Sequence, residues 1–119
     1  MTNTAKYWVW LTLAIGVNNP KQKRIFDMYE SITDFYNGGI YEWRLSGIFS
    51  EKEINSLQNT RLADAADVID TCKKLGYDIV CIDDAQYPDK LRSIYAPPCV
   101  LYVWGELPDF DNRLSIAMV

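Results

Sequence analysis

Three basic side chains, Lys21, Lys23 and Arg24, follow the turn Gly16-Val17-Asn18 at the start of a helical segment. Free backbone amides at a helix start, reinforced by nearby cations, are suited to hold a phosphate group. A Gly-x-Gly hairpin between helices works in this way. Here Asn18 takes the place of the second glycine and reaches φ > 0 less freely. The same residues also read as an ordinary solvated helix start. A phosphate contact at this point would not discriminate between sequences.

Other residue types with chemical potential lead less far. Asp83-Asp84 follows a strand-like run, where ligand sites of α/β sheets gather. Adjacent side chains on an extended chain point to opposite faces, so the two carboxylates do not share a proton or a metal, and they read as a polar turn. Tyr29, Phe35, Tyr36, Tyr41 and Trp43 could offer stacking platforms for bases, but their helical spacing among apolar residues reads as core. Cys72, Cys81 and Cys99 are odd in number, widely separated and set among apolar residues, which predicts buried free thiols. There is no histidine, so mechanisms needing an imidazole are excluded. No glycine-rich phosphate loop, nucleophile elbow or metal motif is present, and Ser115 lies within a strand-like run with no visible base. The expectation is a binding protein with no catalytic residues, no metal and no cofactor.

The 119 residues allow one domain, or a small domain and the opening of a second. With 49% hydrophobic and 24% charged residues the composition is globular. Residues 1–60 carry six basic and six acidic side chains, and residues 61–119 carry six and ten, for a net charge of −4. That balance argues against a broadly basic coat for a polyanion and leaves only a local patch. The apolar run Tyr7–Val17 is too short to span a bilayer. A lone Lys6 before a bulky Tyr7-Trp8-Val9-Trp10 start differs from a secretory leader, so a cytoplasmic protein is expected.

Helices must position these groups in the first half. Tyr7–Ile15 reads as a buried helix, and Asn18 or Asn19 with Pro20 opens a second. Its stripe of Ile25, Met28, Ile32 and Phe35 runs to Gly38-Gly39, with Ser31 and Thr33 as earlier break points. Ile40–Leu45 adds a turn or two. Ser50 and Glu53 form a capping box, with Phe49 and Ile54 placed as a staple, for a helix to about Gln58. Thr60 is expected to cap a further helix with Leu62, Ala66, Ile69 and Cys72 on one face and Gly76 after it. The pattern then changes. Tyr77–Ile82 is β-branched and apolar on both faces, as in a central parallel strand. Pro88 opens a short helix holding Leu91 and Ile94, Pro97-Pro98 ends it, and Cys99–Trp104 and Leu114–Val119 read as further strands. A buried strand at the end of the sequence, with little to cover it, reads as a chain truncated inside its second domain.

From Asp84 onward the chain resembles the opening of the central domain in the bacterial DNA-processing protein family (DprA, also called Smf). The residues that carry the likeness are Tyr87-Pro88-x-x-Leu91-x-x-Ile94, Pro97-Pro98 and Leu101-Tyr102-x-x-Gly105-x-Leu107. Ile116-Ala117-Met118-Val119 is similar to the family's first Rossmann-type strand, and the Tyr7-Trp8 opening to its small helical domain. Tyr87, Pro88, Leu91, Pro97, Pro98, Leu101, Tyr102 and Gly105 have scaffold roles in this pattern. Trp104 stands where a basic residue commonly precedes the glycine. The resemblance implies residues 1–59 as an α-helical, SAM-like or helix-hairpin-helix-like domain. Residues 60–119 would be the incomplete start of an α/β Rossmann-like domain. It further implies single-stranded DNA binding and loading of the RecA recombinase in natural transformation, or competence. Partners would be single-stranded DNA and RecA, with a homodimer formed through the missing domain and no membrane association. The family's Gly-Ser/Thr-Arg turn would follow Val119, so Lys21, Lys23 and Arg24 are the DNA-binding candidates within this chain. A second reading is a helical protein-interaction module that buries aromatics such as Trp43 on a partner and whose strand-rich tail another chain completes.

Overall fold

The structure, a computed structural model, describes residues 4–16 and 19–104 and the backbone of 116–117. Asn18, Gly105, Leu107, Ser115 and Met118-Val119, which carry several of the expectations above, lie outside the described residues. Helix α1 spans Ala5–Ile15 and is apolar nearly all round, with Trp8, Val9, Trp10, Leu11 and Ala14 buried. Such a helix has to be enclosed. The neighbours that enclose it come from both halves of the chain.

Two helices follow where the sequence suggested one with a possible early break. α2 covers Lys21–Met28, and Ser31 then caps α3, Ile32–Leu45, by accepting from the Thr33 amide. The helical backbone breaks at Gly38-Gly39 as expected, with Gly39 at φ 72° and ψ −173°, and Ile40–Leu45 resumes it beyond a kink, so α3 is two helical segments in one span. Helix α4, Glu51–Asn59, begins with both halves of the Ser50–Glu53 capping box in place. The next helix, α5, covers Leu62–Leu75 and ends on Gly76 in the left-handed conformation. Thr60 is not its cap. The Thr60 hydroxyl turns back to the Ser56 carbonyl, and its own carbonyl accepts from the Trp10 indole at 2.8 Å. The inner face of α5 is Ala65, Ile69 and Cys72, with Leu62 partly buried and Ala66 exposed. Met28, also expected inside, is exposed.

Aromatic rings fill the space between α1, α3 and α4. Phe35 stacks on Trp43 at 5.4 Å between centroids, and Trp10 lies 5.6 Å from Trp43. Phe49, before the α4 cap, packs against Phe35. The Trp43 indole N–H donates to the Phe35 carbonyl at 2.8 Å, so this tryptophan is internal and not a partner-facing anchor.

Strands β1 (Tyr77–Cys81) and β2 (Val100–Trp104) pair antiparallel, with Ile79 opposite Tyr102 and Val80 opposite Leu101. β3, Ile116–Ala117, pairs antiparallel with the other edge of β2. The expectation of parallel strands is therefore corrected for the described residues. The link between β1 and β2 contains one helix, α6, of four residues, Asp89–Arg92. At about 1.5 Å per residue it is far too short to return the chain along a strand for a parallel crossover. α1 packs on both strands and α5 on β1, and Ile79, Val80, Cys81, Val100, Leu101 and Val103 are buried.

Gly39 allows a test of this frame. Its backbone lies where essentially only glycine is unstrained, while a Cβ there would meet no atom within 4 Å. Gly39→Ala should destabilise the fold by about 1–3 kcal/mol through conformation alone, read as a lower urea midpoint with an unchanged m-value. An unchanged midpoint would contradict the kink.

Candidate nucleic-acid interface

Helix α2 has two chemical sides, and its inner one fixes where the outer one lies. Gln22 is completely buried on the inner side. Its amide nitrogen donates to the Gly16 carbonyl, and its amide oxygen accepts from the Cys99 backbone N–H at 3.1 Å. The partner at Cys99 is informative. Ile82 and Cys99 continue the β1–β2 register, and the Ile82 amide donates to the Cys99 carbonyl at 3.0 Å. In place of the reciprocal bond, Gln22 takes the Cys99 amide, and Arg92 takes the Ile82 carbonyl through Nε at 3.1 Å and Nη2 at 2.8 Å.

Arg92 does more than close that end. Nη2 also reaches the Asp84 carbonyl at 3.1 Å, and Nη1 pairs with Asp89 at 2.7 Å. Its guanidinium lies 5.1 Å from the Tyr87 ring centroid and 5.9 Å from that of Phe26 on α2. Tyr87 is buried, and its hydroxyl donates to the Pro98 carbonyl at 2.6 Å. Burial pushes that hydroxyl's pKa up. Pro88 starts α6, accepting from the Leu91 and Arg92 amides, and Leu91 is partly buried. Pro97, Pro98 and Leu101 are buried, whereas Ile94 is exposed. Burial raises the Tyr102 hydroxyl to about 12 and the Cys99 thiol to about 12, so both stay protonated at neutral pH. All three cysteines are free and buried. These residues hold a turn together.

On the outer side, the three basic candidates are not equivalent. Lys21 and Arg24, three residues apart, share one flank of α2, and Lys23 sits on the other. Arg24 is exposed and has no ion-pair partner among the described residues. Lys23 pairs with Asp27 one turn on, at 3.0 Å. Lys21 is ion-paired with Glu53, the capping-box residue of α4, and its ammonium lies 5.9 Å from the Phe49 ring centroid. Asn19 completes that contact. Its Nδ2 donates to Glu53 Oε2 at 2.8 Å, and its Oδ1 caps α2 by accepting from the Lys21 amide at 3.0 Å.

Of the aromatics considered as stacking platforms, Phe35 and Trp43 are buried, and Tyr29 and Tyr36 are partly buried. Tyr41 stands out at 80% exposed, with Leu45 one turn on at 79%. Asp83 accepts from the Thr4 hydroxyl at 2.6 Å, and Asp84 closes a turn by accepting from the Gln86 amide, so the pair is a polar turn. Among the described residues no group of acidic or cysteine side chains is arranged to hold a metal ion. Gln22 and Arg92 were not singled out by sequence reasoning. Only their placement, one in a basic helix and one five residues after Tyr87, could have drawn attention to them.

The Glu53 carboxyl yields a pH test. Burial alone would raise its pKa. The bonds from Lys21, the Ser50 amide and Asn19 outweigh burial and bring it from 4.5 to about 2. A folded-state value below the unfolded one means the stabilisation is complete above pH 4.5 and is lost as pH falls towards 2. Denaturant midpoints of the wild type and of Glu53→Gln should therefore converge over that window. A constant gap between them would show that the carboxylate is not held.

No curated protein and no solved structure matches the chain. Residues 78–119, which include the turn that Tyr87, Arg92 and Pro98 close against α2, match the family model described as DNA recombination-mediator protein A.

Proposed function

We propose that this chain is part of a DNA-recombination mediator that binds single-stranded DNA and delivers it to the RecA recombinase. The observation that carries the reading is the family match over residues 78–119. In this reading residues 1–59 form the SAM-like helical domain and residues 60–119 open a Rossmann-like domain. The protein acts in the cytoplasm by binding, without chemistry of its own, and pairs with a second copy through a further domain. No helix among the described residues is long and apolar enough to cross a membrane.

Within this chain, Lys21, Lys23 and Arg24 are the groups proposed to meet phosphates. Arg24 is immediately accessible, and the ion pair of Lys23 with Asp27 is solvent-exposed and exchanges readily. A second reading, a protein-interaction module, is supported by Tyr41 and Leu45, which form an exposed apolar pair one helical turn apart.

Binding of a fluorescein-labelled oligo-dT strand, followed by anisotropy across a salt series, separates the two. Each phosphate contact on a single strand contributes about −0.7 to the slope of log K against log salt. The triple variant Lys21→Ala, Lys23→Ala, Arg24→Ala should weaken binding and flatten that slope by about 1–2. Unchanged affinity and slope in the triple variant would remove these residues from the interface.

A further inference from the structure

The first turn of α2 already holds an anion. Glu53 reaches across from α4, so that Lys21 and the Ser50 amide bind Oε1 and Asn19 Nδ2 binds Oε2. The carboxylate is only partly accessible, at 18% for the Glu53 side chain against 28% for that of Lys21. We propose that Glu53 is a built-in competitor for the phosphate site of α2, an intramolecular anion that occupies Lys21 until a nucleic-acid backbone displaces it. This inference rests on the reading that the basic face of α2 meets phosphates, and it names how that face is regulated.

The chemistry supports competition over simple structural pairing. A carboxylate and a phosphate make the same charge-assisted bonds to an ammonium and a side-chain amide. Lys21 cannot serve both through the same contacts. The capping box does not need the charge, because Gln serves at that position as well as Glu and would keep an acceptor for the Ser50 amide. Glu53 is thus one residue with two separable duties, a neutral cap for α4 and a charged plug for Lys21. Arg24, on the same flank and unpaired among the described residues, is the natural first contact for an incoming strand. Lys21 follows only as Glu53 lets go.

Glu53→Gln isolates the second duty. With the oligo-dT probe at low salt, this variant should bind about two- to fivefold more tightly than wild type, because Lys21 no longer has to leave a carboxylate before it meets the strand. Lys21→Ala in the Glu53→Gln background should abolish the gain. In unaltered protein, the Glu53 side-chain carboxyl 13C resonance should shift as the oligonucleotide is added, because its ammonium partner leaves. That measurement does not depend on any variant folding. Unchanged affinity in Glu53→Gln, or a stationary resonance at saturating oligonucleotide, overturns the inference. If the triple alanine variant still weakens binding in that case, the proposed interface stands without its plug. If no variant affects binding, both fall.

Discussion

The β1–β2 ladder stops making reciprocal bonds at Ile82 and Cys99, and the two polar groups freed there are both buried in the fold's seam. An unpaired backbone amide or carbonyl in such a place costs about 1–3 kcal/mol, so each has to find another partner. Gln22 supplies one from α2 and Arg92 the other from α6. The Gln22 bond ties the helical first half to the family-matched segment, while the Arg92 bonds lie within that segment. Phe26, under the Arg92 guanidinium, adds an apolar contact at the same junction. Cys99 is held from a third side, because its thiol lies 3.0 Å from the Thr12 hydroxyl of α1.

This seam sets the orientation of α2, and with it everything on the outer side of that helix. With Gln22 and Ile25 buried, a period of 3.6 residues turns Arg24 towards solvent and leaves Lys21 and Lys23 on opposite flanks. Lys21 consequently faces α4, where the capping box has already placed a carboxylate. Asn19 binds that carboxylate and caps α2 with the same amide group. The inner hydrogen bonds and the outer charges are thus two consequences of one helix placement. The family-matched turn and the basic helix are neighbours because Gln22 makes them so.

Much of this was legible in the sequence where the signal is local. The capping box at Ser50 and Glu53, the helix-ending Gly76, the buried α1 and the internal thiols follow from residue type and spacing alone. The antiparallel pairing did not. A β-branched run apolar on both faces reports only that both faces are covered, and helices on an antiparallel pair cover them as well as parallel neighbours do. Trp43 shows the same limit, since an aromatic at helical spacing does not say whether its partner is the same chain. Gln22 was the least visible. A single glutamine in a basic helix start looks like surface, and its value comes from an amide seventy-seven residues away.

Amide hydrogen exchange at Cys99 tests the seam most directly. In the wild type the Cys99 amide should exchange slowly, alongside the ladder amides of Val80 and Leu101. In Gln22→Leu, which keeps the volume but removes the acceptor, it should lose about 10- to 100-fold of that protection while the rest of the ladder keeps its own. Equal protection of Cys99 in both proteins would mean that its N–H is satisfied without Gln22, and α2 would then have no polar tie to the family-matched segment.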